Sequence, residues 1–261
     1  MSGFLTRRRL VTAGLATVAG AAGIGAAARY GLIAPDATGI LGIGESLTYS
    51  AQRLLTSSQA LAREFKRSDI SKVAPVNGLP PTDETYRGLA ANGFKDWRLS
   101  VEGLVAQPTS FSLDELKALP AESRIILHAC EEGWSFIAEW TGVRLSHVLD
   151  LVLPHDEARY VAFIPYENVN QNTGASRVLF DSIDMTDALH PQTLLAYGMN
   201  GEELPAGHGA PVRLRLSRHL GYKNTKFIHR IVLMDAALKD NLGKRIGARS
   251  NERGNAWYGG I

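Results

Sequence analysis

Cys130 is the only cysteine, in the segment Ile126-Leu127-His128-Ala129-Cys130-Glu131-Glu132-Gly133-Trp134-Ser135, where an apolar run ends. A thiol at the C-terminal end of a strand has a rigid scaffold behind it and an open loop ahead. Metal ligands and nucleophiles often occupy such positions. Thiolate is the soft donor that a polarisable transition metal prefers, and metal binding removes the thiol proton and protects the sulfur from oxidation. A lone buried cysteine is more often inert packing, so both readings stay open on this residue alone. Zinc does not fit, because there is no second cysteine and no His pair at ligand spacing. His128, two residues earlier on the same strand, points to the same side; it either shapes a site or is held structurally by hydrogen bonds.

A second feature lies downstream. No acidic residue occurs between Glu203 and Asp235, while the stretch holds Arg213, Arg215, Arg218, Lys223, Lys226 and Arg230, together with His208, His219 and His229. In Val212-Arg213-Leu214-Arg215-Leu216 the apolar side chains share one face of a strand and both arginines share the other. That arrangement suits a compact anion such as phosphate, which guanidinium groups grip in a bidentate fork. Gly209, in His208-Gly209-Ala210-Pro211, lets backbone approach a ligand closely, and Asn224, Thr225 and Lys226 add donors. The competing reading is a solvated basic face. Nucleic acid is disfavoured, since no aromatic residues are interleaved as stacking platforms.

The elements that must position these residues follow from local pattern. Trp97, Leu99 and Val101 alternate with polar residues in a strand ending at Gly103. Ser112-Leu113-Asp114-Glu115 is a capping box opening a short helix that stops by Pro120. Arg124 to Ala129 reads as the strand delivering Cys130. Further strands are expected at 159–164, 193–199, 212–216 and 227–234, and Asn200-Gly201 predicts a tight turn. Helices and strands do not alternate regularly, so the expected class is mixed α+β rather than a doubly wound parallel sheet. No internal repeat or heptad pattern is present.

The chain has 261 residues, 45% of them apolar and 21% charged, as in ordinary soluble globular proteins. Its N-terminus divides off. Arg7, Arg8 and Arg9 precede an uncharged Ala- and Gly-rich stretch from Leu10 to Ala28, ending in Ala26-Ala27-Ala28. These are the parts of a signal peptide, and the paired arginines resemble a twin-arginine signal. A retained membrane anchor is the alternative. Removing residues 1–28 takes away three arginines, so the formal charge falls from +2 to −1, arguing against a binder driven by bulk charge. Residues 29–75 read as an extension carrying a helix capped by Ser46, with Leu47, Ala51, Leu54, Leu61 and Phe65 as its stripe. That helix is expected to lie on the main domain, with a membrane partner as the other reading. The main domain is expected over 76–261.

Several motifs together resemble one family. Cys130-Glu-Glu-Gly-Trp-Ser, Trp140-Thr-Gly-Val and His208-Gly-Ala-Pro-Val-Arg213 are similar to the molybdopterin-binding domain of sulfite-oxidase-like enzymes. Leu220-Gly-Tyr-Lys-Asn-Thr-Lys226 and Trp257-Tyr-Gly-Gly-Ile261 resemble its exported bacterial branch, which includes the catalytic subunit of periplasmic methionine-sulfoxide reductase. The order and spacing of the motifs carry this more than any single one. The resemblance implies a mixed α+β domain holding one molybdenum on a pyranopterin dithiolene, with Cys130 as metal ligand and catalytic centre. His208, Arg213 and Lys226 would hold the pterin and its phosphate, Asn224 and Thr225 would contribute through their backbone, and Asn77 in Asn77-Gly78 matches a further pterin contact.

The implied activity is two-electron oxygen-atom transfer on a small oxygen-bearing substrate such as a sulfoxide or sulfite. The implied electron partner is a membrane haem protein of cytochrome b type, since this chain shows no second redox centre. A periplasmic location, or a membrane-anchored one if the signal is retained, and a monomeric catalytic domain complete the expectation. Pro165 departs from the family pattern, because the methionine-sulfoxide reductase has a hydroxyl residue near the cofactor there. Only 26 residues follow Asp235, so the C-terminal dimerisation domain of sulfite oxidases is expected to be absent, as is a haem domain. Two rivals remain from the residues alone: a thiol enzyme using Cys130 as nucleophile, and a non-catalytic anion-binding protein.

Overall fold

The computed structural model describes residues 39–55, 58–166, 168–169, 176–236, 246–248 and 257–261. The expected signal segment at 1–28 lies outside them. The chain divides into two compact units, Met1–Ser57 and Ser58–Ile261. In the first, helix α1 spans Gly39–Leu55, with the Arg53 guanidinium 5.2 Å from the Tyr49 ring centre. Ser46 therefore sits inside this helix and does not cap it, and Leu61 and Phe65 lie beyond its end. The apolar spacing suggested one helix running on, whereas the described helix ends at Leu55. No helix among the described residues is long and apolar enough to cross a membrane.

The second unit starts earlier than the expected boundary at Val76. Phe65 N–H donates to Ile125 O at 2.8 Å, Ser71 N–H to Ile137 O at 2.9 Å, and Ala62 N–H to the Gln192 side chain at 2.8 Å. Arg67 adds a two-pronged contact with the buried Glu139 carboxylate at 2.7 and 2.9 Å. Residues 58–75 are thus strapped across the sheet that carries Cys130. Isolated bridges and side-chain contacts of this kind leave no periodicity in the sequence.

Short helices α2 (Glu84–Ala91), α3 (Leu113–Ala118), α4 (Leu145–Val152) and α5 (Met185–Ala188) flank the strands. The strands are β1 (Arg98–Gly103), β2 (Thr109–Ser112), β3 (Ala121–Ala129), β4 (Ser135–Arg144), β5 (Tyr160–Pro165), β6 (Asn168–Val169), β7 (Ser176–Asp184), β8 (Leu194–Met199), β9 (Glu202–Glu203), β10 (Arg213–Arg215), β11 (Ile228–Met234) and β12 (Ile246–Ala248). One sheet runs β12-β7-β5-β11-β1-β2 with β6 on β7, and its β1–β11 and β12–β7 pairs are parallel. The other runs β10-β8-β4-β3 with β9 on β8, all antiparallel. This is the mixed α+β architecture expected, with no doubly wound sheet.

The capping box forms as read: Ser112 Oγ accepts from Glu115 N–H at 3.1 Å, and the Glu115 carboxylate accepts from Ser112 N–H at 2.6 Å. The β8–β9 turn places Asn200 and Gly201 at φ 55° and 85°, the left-handed pair a two-residue hairpin needs. Leu99, Val101, Val161, Phe163, Ile231 and Leu233 from the first sheet and Val143, Leu195 and Leu214 from the second share one buried core. The opposite face of the second sheet buries Ile126, Phe136, Ala138 and Trp140 in a separate cluster, and the cleft described below opens beside it. Gly142 permits the β4–β8 pairing there, since a Cβ on it would lie 2.2 Å from Leu195 O.

Candidate functional site

Strands β3 and β4 pair in register down to Ala129–Ser135, leaving Cys130 at the first position of the connecting loop. The loop is closed by Cys130 N–H donating to Trp134 O at 2.9 Å and Gly133 N–H donating to Cys130 O at 3.1 Å, with Gly133 at φ 90°. The thiol is therefore held by main chain on both sides. Its Sγ donates to the Glu131 carboxylate at 3.4 Å and accepts from Asn77 Nδ2 at 3.8 Å. Burial, with the Glu131 charge beside it, raises the thiol pKa above its ordinary value. Neither contact is with an imidazole, so the base that a thiol nucleophile needs is not bonded to it.

Cys130 lines a cleft. Asn77, His208, Arg213, Asn224 and Lys226, which the resemblance implied for the cofactor, line it too. Thr225 does not: it is buried behind the wall, its carbonyl accepting from Leu214 N–H at 2.8 Å and its hydroxyl without a hydrogen-bond partner.

The basic segment is not a solvated face. Arg213 is buried, with Nη1 donating to His208 O at 2.9 Å, Nη2 to Asn224 O at 3.2 Å and Nε to Leu214 O at 3.4 Å. Arg215 is wholly buried and donates to Leu216 O at 2.7 Å, Asn224 Oδ1 at 2.8 Å and Leu127 O at 2.5 Å. Both guanidinium groups lie against the Trp140 ring, at 4.9 and 5.5 Å from its centre. Lys226 Nζ donates to Asn77 O at 2.7 Å and Gly207 O at 2.8 Å, tying the Asn77 strap to the wall. These acceptors are neutral, and desolvation and the Arg213 charge bring the Arg215 pKa down to about 9.

The same field acts on the histidines. Burial, then Arg213 and Lys226, push the His208 pKa down to about 4. Burial, then Arg215 and Arg213, push that of His128 to about 2. Both imidazoles are neutral at ordinary pH, so the positive charge lining the cleft comes from Arg213 and Lys226 and not from its histidines.

Sequence reading missed several lining residues. Trp134 stacks on Phe136 at 6.2 Å and 17° and is held by its Nε1 donating to Glu132 at 3.0 Å. Gly207, Gly221 and Tyr222 also line the cleft. The Gly-rich spacing was a signal for the first two; Tyr222 and Phe136 left none, because an aromatic residue in a cleft wall and one in a core look alike in sequence. Pro165 ends β5 opposite Ile228 and does not line the cleft. Among the described residues no group of three or more His, Cys, Asp or Glu side chains could hold a metal, which leaves Cys130 as a single-residue ligand candidate.

Comparison with known proteins bears directly on this cleft. The family described as "Oxidoreductase molybdopterin binding domain" matches residues 88–241. A relative from Azospira oryzae, provisionally named protein-methionine-sulfoxide reductase subunit YedZ1, is 35% identical over 209 residues, covering 80% of this chain and 71% of its own length. Protein-methionine-sulfoxide reductase catalytic subunits MsrP from Ralstonia nicotianae and Xanthomonas campestris are 39% and 40% identical, over 53% and 56% of this chain. The chain spans less than half of these two relatives, 44% and 48% of their lengths. The crystal structure of the sulfane dehydrogenase SoxCD from Paracoccus pantotrophus aligns with a TM-score of 0.48 at 23% identity, over 55% of this chain and 39% of that one. The chain belongs to the molybdopterin-binding oxidoreductase family, and is an oxidoreductase whose cofactor is molybdenum-molybdopterin.

Proposed function

We propose that this chain is the catalytic subunit of an exported sulfoxide reductase, in which Cys130 is the protein ligand to molybdenum. The observation that carries the reading is one buried thiol lining the same cleft as the buried Arg213 and the half-buried Lys226. The residues fit the group. A soft sulfur donor lines the cleft together with the cations Arg213 and Lys226, which donate to backbone carbonyls around it. Gly207 and Gly221 keep the wall low, and His128, which lines the cleft, has its buried Nδ1 without a hydrogen-bond partner among the described residues.

When bound, the molybdenum cofactor supplies the two-electron oxygen-atom-transfer chemistry. This chain's residues do the rest. Cys130 holds the metal in place, and the loop hydrogen bonds from Trp134 and Gly133 fix its sulfur. Arg213 and Lys226 neutralise the phosphate of the pterin, His208 donates or accepts as a neutral ring, and the Asn224 carbonyl and Thr225 backbone order the wall. Asn77 contacts the cofactor from the strap that Lys226 anchors. The half-exposed Trp134 borders the opening and excludes water from one side of the sulfur.

The names of the relatives point to methionine sulfoxide as substrate. The balanced reaction takes sulfoxide, two electrons and two protons to thioether and water. The electrons come one at a time from a membrane haem partner, because nothing else in the cleft can store them. The arginine-led N-terminus supports export by the twin-arginine route to the periplasm, and the catalytic unit works as a monomer.

A thiol-nucleophile reading conflicts with the raised Cys130 pKa and the missing base. A purely anion-binding protein conflicts with family membership. The deciding experiment is Cys130→Ser, purified from the native host and assayed for molybdenum and for methionine-sulfoxide reduction by a reduced dye. Loss of turnover with the fold and the molybdenum content retained supports the reading. Full turnover with wild-type molybdenum content defeats it.

A further inference from the structure

The segment Trp257–Ile261 makes contacts that reach the cleft through one intermediary. Leu220 N–H donates to Gly259 O at 2.8 Å and Ile261 N–H to Arg218 O at 2.9 Å, with His219 and Gly260 bridged antiparallel between them. The two stretches form a short ladder. From Leu220 the chain turns tightly, with Lys223 N–H donating to Leu220 O at 3.1 Å and Asn224 N–H to Gly221 O at 3.0 Å.

That turn is seated directly on the thiol's own backbone. A Cβ on Gly221 would lie 3.0 Å from His128 Nε2 and 3.3 Å from both Ala129 O and Cys130 Cα. Tyr222, the next residue, is buried and lines the cleft. Its ring rests on Gly259: a Cβ there would lie 2.6 Å from Tyr222 Oη, 2.7 Å from Cζ and 3.0 Å from Lys223 Cγ. The Tyr222 ring is buried, so for that Cβ to fit either the ring or the Gly259 backbone must shift.

The segment is also pinned at its other end. Trp257 Nε1 donates to Ser182 Oγ at 3.0 Å, and the Lys223 ammonium lies 5.0 Å from the Trp257 ring centre. Lys223 Nζ in turn donates to Asp181 at 2.5 Å and to Ser182 O at 2.7 Å, all in the interior. Strand β7, the Trp257 indole and the 218–224 turn are therefore locked together, with the turn's far side against Cys130.

We propose that Trp257 and Gly259 are positioning residues for the Cys130 sulfur, acting through the 218–224 turn and Tyr222. They touch neither cofactor nor substrate. They fix the distance between the wall and the metal-binding thiol by removing the turn's freedom to shift. This rests on the reading that Cys130 ligates molybdenum.

The test uses holoenzyme from the native host carrying Gly259→Ala, Trp257→Ala or Trp257→Phe, with Cys130→Ser beside them. The readouts are molybdenum content, the Mo(V) paramagnetic resonance signal, and kcat and KM for a soluble sulfoxide. Gly259→Ala and Trp257→Ala are expected to shift the Mo(V) signal and lower kcat about tenfold or more per molybdenum atom, since sub-ångström misplacement is costly at a reacting centre. Trp257→Phe keeps the ring over Lys223 and is expected to restore the wild-type signal. A wild-type Mo(V) signal and kcat per molybdenum in both alanine variants overturns the proposal. Should Gly259→Ala yield no folded protein, the contrast between Trp257→Ala and Trp257→Phe decides it by the same criterion. A Mo(V) signal unmoved in Cys130→Ser refutes ligation itself. A signal that moves there but not in the Trp257 and Gly259 variants refutes the positioning role alone.

Discussion

Replacing Gly209 by alanine perturbs both cationic anchors of the cleft with one methyl group. Gly209 adopts φ 113°, where an L side chain is strained, and its added Cβ would lie 2.8 Å from Lys226 Cβ and 3.2 Å from Arg213 Cβ. The backbone strain costs about 1–3 kcal/mol. Crowding a packed position adds about 1–3 kcal/mol. Lys226 cannot simply swing away, because its ammonium is held by Asn77 O and Gly207 O. A total of about 2–6 kcal/mol corresponds to a drop in Tm of roughly 4–24 °C in the cofactor-free protein. If only ~1.4 kcal/mol of it falls on cofactor binding, affinity drops about tenfold. Calorimetry reads the first quantity, and fluorescence of the released pterin reads the second. Gly201→Ala is the comparison, since Gly201 has φ 85° but open space around its Cβ position. It should lose stability without losing pterin. Wild-type Tm and full pterin content in Gly209→Ala would refute the reasoning.

Further outcomes follow from the same geometry. Gly142→Ala should prevent β4 from pairing with β8, because its Cβ has no space beside Leu195 O; soluble protein with a wild-type Tm would count against that packing. Lys223→Met should cost roughly 3–5 kcal/mol by leaving Asp181 buried and unpaired, and Lys223→Met with Asp181→Leu should recover most of it in urea melts. In the cofactor-free protein, His208 is depressed to about 4 while the unfolded imidazole titrates near 6.5. The unfolded chain therefore binds a proton that the native chain refuses. The stability His208 contributes is whole above pH 6.5 and falls as the pH drops towards 4, by up to about 1.4 kcal/mol per unit. Burial lowers His190 and His229 in the same direction. His208→Gln should flatten this slope, and an unchanged slope would show that His208 is not the depressed group.

Much of the scaffold was legible because local chemistry dictated it. The Ser112–Glu115 box, the Asn200-Gly201 turn and the strand ending at Ala129 are short-range signals, and each formed where its residues required. The arginine alternation in 213–215 was legible as two faces. That the arginine face is buried was not, because burial depends on Trp140 from a strand distant in sequence. The strap over 58–75 escaped for the same reason: its hold on β3 and β4 combines main-chain bonds, which any residue can supply, with side-chain pairs such as Arg67–Glu139 whose partners are distant in sequence. The apparent helical stripe from Leu47 to Phe65 shows the opposite failure, where periodicity ran on through residues that do not share a helix. Cys130, Asn77, His208, Arg213, Asn224 and Lys226 line one cleft, while Thr225 is buried and does not line it, its carbonyl accepting from Leu214 N–H.

The most direct test is X-ray absorption at the molybdenum edge on holoenzyme matured in its own host, wild type against Cys130→Ser. Ligation by Cys130 predicts that the variant has one fewer sulfur neighbour around molybdenum, and that an equal content of pterin is bound by the intact cationic wall. An identical sulfur count in the two proteins would contradict it.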